Sequence, residues 1–268
     1  MVNNDLIVSM TSWKKRITNI PEVISSILSQ TMKPFKIVLN LSSMEFQQKE
    51  CDLPKEVDSF IKEKNVELYW VDGENTKQWK KFIPTMLRYP DKWVVCIDDD
   101  RIYDKDFIEI LWKKHLEHPN NPITTNGGYK VNGNLQHCGC GTLECAKFYN
   151  NFQDVDINEI RKQTDSSDTF YTFLLNKNGY PLIYSGSSKY YKPYNEFEPL
   201  SKTAGTSTVK KHLEIWDWLS KKYGEVKTTP KNTVPKEAIV NLMYGDLHVV
   251  NNKKNSFKKR VVVRKYRN

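Results

Sequence analysis

Short continuous apolar runs alternate with stripes of apolar residues at helical spacing through the first part of the chain. Leu6-Ile7-Val8-Ser9-Met10 has the length and density of a buried strand. A polar loop, Thr11 to Arg16, follows it. A helix is predicted to begin near Asn19, with Pro21 in its first turn, where a missing amide hydrogen does no harm. Val23, Ile24, Ile27 and Leu28 form its apolar face. Residues 35–41 read as a second strand, 51–64 as helical in part, and Val66 to Val71 as a third strand. Residues 75–87 read as a helix stopped by Tyr89-Pro90. Trp93-Val94-Val95-Cys96-Ile97 is apolar without alternation, as a central parallel strand covered on both faces must be.

The pattern loosens afterwards. Asp104 is the expected cap of a helix whose stripe is Phe107, Ile110, Leu111 and Trp112. Ile123-Thr124-Thr125 and Leu182-Ile183-Tyr184 are short strand candidates. Residues 170–175 form a helix closed by Asn178-Gly179, and Val209, Leu213, Trp216 and Leu219 recur at helix spacing. Residues 185–207 read as a long loop, either a lid or merely irregular structure. The alternation of strand and helix predicts an α/β fold with a mostly parallel, Rossmann-like central sheet flanked by helices and a less regular C-terminal region. Three stretches are expected: 1–125 and 126–250 as two halves of one domain, and 251–268 as a basic tail. In such sheets ligands bind beyond the carboxyl ends of the strands, so chemistry is sought just after each one.

Charge is unevenly placed. The 268 residues carry a formal net charge of +9, but eight basic residues and no acidic one follow position 252, leaving the remainder near +1. The body is therefore not a general nucleic-acid surface, and no specific nucleic-acid partner is expected. The tail mixes basic with apolar groups and suits an anionic membrane surface or a solvated end. There is no apolar run of membrane-spanning length and no basic-then-apolar leader at Met1–Asp5, so the expected location is cytoplasmic, with peripheral attachment to the inner membrane face through the tail. Five cysteines at irregular spacing fit a reducing compartment. Cys138, Cys140 and Cys145, with His137 nearby, are read as packing or cleft-lining residues in preference to a zinc site, because a second pair at zinc-ligand spacing is missing.

The strongest local signal is Asp98-Asp99-Asp100 directly after the Trp93–Ile97 run. Adjacent carboxylates at a buried strand end repel one another, and a divalent cation relieves this. Mg2+ or Mn2+ suits carboxylate oxygens and bridges protein to diphosphate. In extended backbone Asp98 and Asp100 would point to one side and Asp99 to the other. The competing reading is an acidic turn that caps the next helix. Arg16, Lys77, Lys80 and Lys81 follow the first and third strands and could meet a charged leaving group. Asp72, directly after Val71, could accept from a base or ribose. No Walker loop or dinucleotide fingerprint occurs.

These stretches in order give the chain a recognisable look. Ser9-Met10-Thr11-Ser12-Trp13-Lys14-Lys15-Arg16-Ile17, Ile27-Leu28-Ser29-Gln30-Thr31 with Lys33-Pro34, Asn75-Thr76-Lys77, Lys80-Lys81-Phe82-Ile83-Pro84-Thr85, Tyr89-Pro90 and Ile97-Asp98-Asp99-Asp100 with Ile102-Tyr103 resemble bacterial glycosyltransferases of the GT-A fold. The resemblance is to small polysaccharide, capsule and lipopolysaccharide enzymes distantly related to the large inverting family 2, and it covers residues 5 to about 115. It implies a metal-dependent transfer from a nucleoside diphosphate sugar, UDP-linked at family level, to a saccharide or lipid-linked saccharide. It makes 1–125 the nucleotide-sugar-binding half and 126–250 the donor-sugar, acceptor and catalytic half. Thr11 and Arg16 would lie at the nucleotide. Asp72 and the stretch Asn75, Lys77, Lys81 would border base, ribose or diphosphate. Asp98 and Asp100 would be the metal pair, and Asp99 would face ribose or donor sugar.

The second half resembles the family less. Cys138-Gly139-Cys140-Gly141 would stand for a glycine-rich segment near the donor sugar, and Ser167-Asp168-Thr169-Phe170 for an acidic pair opening a helix, with serine in the first acidic position. Asp168 is the candidate base, with Asp165 as fallback, and a plain helix cap is the competing reading of Asp168. One base and no second carboxylate placed as nucleophile predicts inversion. The alternatives are a nonenzymatic sugar- or polyanion-binding protein on a decayed transferase fold and a sugar nucleotidyltransferase, the latter disfavoured because Thr11 to Arg16 contains no glycine.

Overall fold

The computed structural model describes residues 2–149, 156–164, 167–187, 191–193 and 209–226. Asp165, the basic tail 251–268 and most of the 185–207 loop lie outside the described residues.

A seven-stranded sheet runs through the molecule. Its strands are β1 (Val2–Thr11), β2 (Lys33–Ser42), β3 (Glu67–Val71), β4 (Trp93–Cys96), β6 (Ile123–Thr124), β9 (Thr142–Cys145) and β10 (Ile183–Tyr184), in the order β10-β6-β9-β4-β1-β2-β3. β1 pairs parallel with both β2 and β4, β2 with β3, and β6 with β10. β9 alone runs antiparallel, between β4 and β6. Two small ribbons complete the strands. β5 (Arg101–Tyr103) pairs with β11 (Tyr191–Pro193), and β7 (Lys130–Val131) pairs with β8 (Asn134–Leu135).

Strand alternation divides the core in two. Leu6, Val8 and Met10 of β1 and Val95 of β4, with Ile97 just beyond it, face one layer, packed by α1 (Ile20–Leu28), α2 (Lys55–Glu63) and α4 (Phe107–Glu117). Val94 and Cys96 face the other. That layer holds α3 (Ile83–Arg88), α5 (Ile157–Gln163), α6 (Ser167–Lys177) and α7 (Val209–Tyr223). The apolar stripe of α1 is fully buried at Val23, Ile24 and Ile27. At roughly 1.5–3 kcal/mol per large side chain, these three supply several kcal/mol of helix docking.

Four expectations are corrected. Residues 75–87 are not one helix. A 3-10 turn, Lys77–Lys81, precedes α3, and Phe82 (φ −116, ψ −60) breaks the two apart. Packing sets that break, because Trp79 and Phe82 both drive rings into the second core layer. Asp104 does not cap α4. Its carbonyl accepts from Gln30 Nε2 (2.6 Å), and Asp106 takes the cap position without a side-chain hydrogen bond. In α4 the inward position beside Phe107 is Ile108, with Ile110 half-exposed. In α7 Leu213 is exposed, and Ile215, Trp216 and Leu219 make the buried stripe. The Asn178-Gly179 stop is as expected: Gly179 adopts φ +81 and Tyr180 N donates to Leu175 O (2.8 Å).

Candidate active site

Four parallel strands end at the same edge of the sheet, and the antiparallel β9 begins there, with Thr142 opposite Cys96. The loop leading into β9, His137 to Gly141, is therefore delivered beside Asp98. The amino end of α6 arrives at the same place with Asp168.

The acidic run is a turn, not extended backbone, and this overturns the expected two-sided arrangement. Asp99 and Asp100 both meet Arg16, whose NH1 lies 3.0 Å from Asp99 Oδ1 and 2.6 Å from Asp100 Oδ2. Ser12 Oγ donates to Asp99 Oδ2 (2.7 Å), and Asn19 Nδ2 donates to the Asp99 carbonyl (3.2 Å). Asp98 turns the other way and pairs with Lys81. Its amide donates to Tyr103 Oη (2.9 Å). The chain's own cations thus share in balancing these carboxylates. Burial pushes the Asp99 carboxyl up to about 6, against the pull of Arg16 and Ser12. At Asp98 burial pushes the same way, but Lys81 outweighs it and holds the carboxyl below its ordinary value.

Lys81 is placed by a polar cluster inside the sheet face. Its carbonyl accepts from Ser9 Oγ, which also bonds Thr85 Oγ1 (2.6 Å), and Asn40 Nδ2 donates to both hydroxyls (3.1 and 3.0 Å). Its ammonium then bridges Asp98 and the Gly139 carbonyl (3.0 Å). Burial alone would lower the Lys81 ammonium, but Asp98 prevails and raises it.

Asp168 sits in the first turn of α6 with a side chain 37% exposed. Its Oδ1 lies 3.2 Å from His137 Nδ1, and His137 Nε2 lies 2.6 Å from Glu144 Oε1 on β9. Tyr149 donates to the other oxygen of Glu144. Burial alone would lower the His137 imidazole, but Glu144 and Asp168 raise it to about 10.

The structure thus gathers Arg16, Lys81, Asp98, Asp99, Asp100 and Asp168 around one edge. The remaining candidates line the same edge without joining the cluster. Thr11 Oγ1 donates to Asn40 O (2.6 Å), and Asp72 is exposed past β3. Asn75 bonds Glu45 (3.3 Å) and accepts from Lys80 (2.5 Å), and Lys77 is exposed on its 3-10 turn. His137, Glu144 and Tyr149 were not anticipated as site residues. Their signal was a glutamate inside a strand-length apolar stretch, Thr142-Leu143-Glu144-Cys145, which folding must neutralise.

Among the described residues no three His, Cys, Asp or Glu side chains converge around an ion position. Cys138 and Cys140 place their sulfurs 3.0 Å apart, and Cys145 is buried in the second core layer. A divalent cation shared with a diphosphate needs only one or two carboxylates. Asp100 fits that requirement, since its Oδ1 is buried with no hydrogen-bond partner; Asp98, 31% exposed, is turned toward Lys81.

The mostly parallel seven-stranded sheet, its single antiparallel strand and its flanking helices make a mixed α/β fold of GT-A type. Among solved structures, S. aureus TarS 1-349 in complex with UDP-GlcNAc is similar at TM-score 0.52 and 12% identity, over 84% of this chain and 68% of that one. The mannosyltransferase PcManGT from Pyrobaculum calidifontis, in complex with GDP-Man and Mn2+, aligns at TM-score 0.49 and 9% identity, over 90% of this chain and 81% of that one. No family model and no curated protein sequence matches the chain. No described helix is long and apolar enough to cross a membrane.

Proposed function

We propose that this chain is a metal-dependent glycosyltransferase that moves a sugar from a nucleoside diphosphate donor, UDP-linked in the first instance, to a hydroxyl of a saccharide or lipid-linked saccharide, with inversion. The observation that carries this reading is the convergence of the Asp98–Asp100 turn, Lys81, the Gly139 carbonyl and the first turn of α6 with Asp168 at the carboxyl edge of a GT-A-type sheet. Arg16, Thr11, Asp72, Asn75 and Lys77 line that edge, where the nucleotide would lie. Asp98 and Asp100 would hold Mg2+ or Mn2+, which when bound neutralises charge developing on the diphosphate.

In this scheme Asp168 accepts the proton of the attacking hydroxyl. The acceptor oxygen forms its bond to the anomeric carbon as the bond from that carbon to the phosphate oxygen breaks. The electron pair leaves with the nucleoside diphosphate. Lys81 and Arg16 stand where that charge appears. Asp168 is supported as base by its half-exposed carboxylate in the first turn of α6. Asp165, the fallback, lies outside those residues.

A thermal-shift screen of UDP-, GDP- and dTDP-sugars with and without Mn2+, followed by NMR of the product anomer, tests the proposal. A metal-dependent shift with one donor family and an inverted product are expected. Retention would exclude the direct displacement, and no response to any nucleotide sugar would exclude the transferase reading.

A further inference from the structure

His137 is enclosed. Its ring is buried against Tyr171 (centroids 4.9 Å) and Phe82 (5.9 Å), and both of its nitrogens face carboxylate oxygens. An ionised carboxylate only accepts, and a neutral imidazole carries a single N–H. Both contacts are therefore made as hydrogen bonds when the ring is an imidazolium, donating from Nε2 to Glu144 and from Nδ1 to Asp168. Glu144, fully buried on β9, is held in turn by the Tyr149 hydroxyl. The main chain reinforces the arrangement: His137 N donates to Thr172 Oγ1 (2.8 Å), and that hydroxyl donates to the Asp168 carbonyl (2.7 Å). Two separate links thus tie His137 to the first two turns of α6.

We propose that His137, braced by Glu144 and Tyr149, is a positioning residue that fixes the Asp168 carboxylate toward the acceptor hydroxyl. The inference rests on the transferase reading with Asp168 as base. Among the described residues His137 is the side chain that hydrogen-bonds that carboxylate, through Oδ1, and the half-exposed remainder is left to face substrate. Without the brace the carboxylate keeps its charge but loses its direction. Misplacement of a reacting group by about 1 Å costs on the order of 10²-fold in rate. The titratable groups around the ring are Asp168 and Tyr171 from α6, Glu144 from β9 and, behind it, Tyr149. Lys81 acts on Asp168 from the far side of Gly139.

Removing His137 alone would strand Glu144, so the test uses two double variants. H137N/E144Q keeps an amide N–H at the Nδ1 position and neutralises the glutamate. H137L/E144Q keeps the volume and removes the donor. Turnover of UDP-glucose and UDP-N-acetylglucosamine with Mn2+ would be measured for both, alongside the imidazole 15N shifts of His137 in the intact chain from pH 6 to 10. The expected result is a kcat lower by about 10²-fold in H137L/E144Q with donor KM within about twofold. H137N/E144Q should recover at least about tenfold of that loss. The wild-type ring should stay doubly protonated past pH 8. Equal kcat in the two double variants overturns the inference while Asp168→Asn still abolishes turnover, and so does a ring that titrates at its ordinary value. If the wild-type chain turns over neither donor nor any other nucleotide sugar, the transferase reading fails and the positioning role with it, whatever the ring shifts show.

Discussion

Lys81 and Asp98 form an ion pair across the carboxyl edge of the sheet, linking the 3-10 turn after β3 to the turn after β4. Both side chains are largely withdrawn from water, with exposures of 10% and 31%. Removing one partner leaves the other charged and unpaired. Lys81→Met is expected to destabilise the fold by about 2–3 kcal/mol, just below the range for broken fully buried pairs because Asp98 is partly solvated. Lys81→Met combined with Asp98→Asn should recover more than half of that loss. Chemical denaturation of the two variants measures both.

The same pairing bears on the metal. With Asp98 held by Lys81, and Asp100 by Arg16, Mn2+ alone competes with cations already in place. Mn2+ added without nucleotide should move the melting temperature by less than about 1 °C, whereas Mn2+ with UDP should move it by several degrees, since only the pair of ligands rewards rearrangement. Asp100→Asn should remove the metal-dependent part of that shift and leave any metal-free nucleotide response. Differential scanning fluorimetry over a matrix of metal and nucleotide concentrations reads this directly.

Much of the framework was legible because burial on both faces leaves a continuous apolar signature. Leu6 to Met10 and Trp93 to Ile97 are central strands for that reason. β9 was not legible, since Glu144 interrupts its apolar run and becomes tolerable only once His137 and Tyr149 close on it from elsewhere. β5 was missed because three residues have no periodicity, and its partner lies about ninety positions away. At the site, the residue types Arg16, Lys81, Asp98, Asp100 and Asp168 could be picked out, but not who meets whom. Asp99-Asp100 is a turn, so neighbours expected on opposite sides share one guanidinium. The role of His137 depends on a strand order that runs β9 between β4 and β6, which local patterns do not encode.

His137 and Lys80 give opposite pH signatures. The His137 imidazole is raised from 6.5 to about 10, so the folded chain holds its proton where the unfolded chain has lost it. Stability from this group is complete below about pH 6.5 and is lost as pH rises through 10. H137N/E144Q should flatten that decline in urea melts taken between pH 6.5 and 10.

Lys80 is 2% exposed, and burial pulls its ammonium down from 10.5 to about 8, with Glu45 opposing. Here the folded chain holds fewer protons than the unfolded one between pH 8 and 10.5, so its contribution to stability rises with pH across that window. Its hydrogen-bond partner, Asn75 Oδ1, also accepts from Lys77 N (3.0 Å) and so is not stranded by its removal. Lys80→Met should raise stability at pH 7 by about 1–3 kcal/mol and abolish the rise above pH 8. Urea melts at pH 7 and pH 9.5 separate the two effects.

Two glycines in the loop before β9 lead to different outcomes on gaining a methyl group. A Cβ on Gly139 would meet Lys81 Nζ at 2.6 Å and Asp168 Oδ1 at 3.6 Å. The first is the end of a flexible side chain, which can swing away without moving the backbone. Swinging away, however, breaks the bridge from Lys81 to Asp98 and to the Gly139 carbonyl. Gly139→Ala should therefore cost about 2–3 kcal/mol in stability, as loss of the Lys81–Asp98 pair does, and lower donor turnover by at least about tenfold. A Cβ on Gly141 would meet Thr125 Oγ1 at 2.3 Å, Cγ2 at 2.9 Å and Cβ at 3.2 Å. Thr125 is β-branched, buried and fixed beside β6, so it cannot yield without moving the strand. Gly141→Ala should accordingly destabilise by about 2–3 kcal/mol, comparable to overpacking a core. Measuring melting and donor turnover on both variants decides the matter, because turnover per folded molecule should fall in Gly139→Ala and be kept in Gly141→Ala. If Gly139→Ala keeps full turnover, Lys81 has no part in donor chemistry.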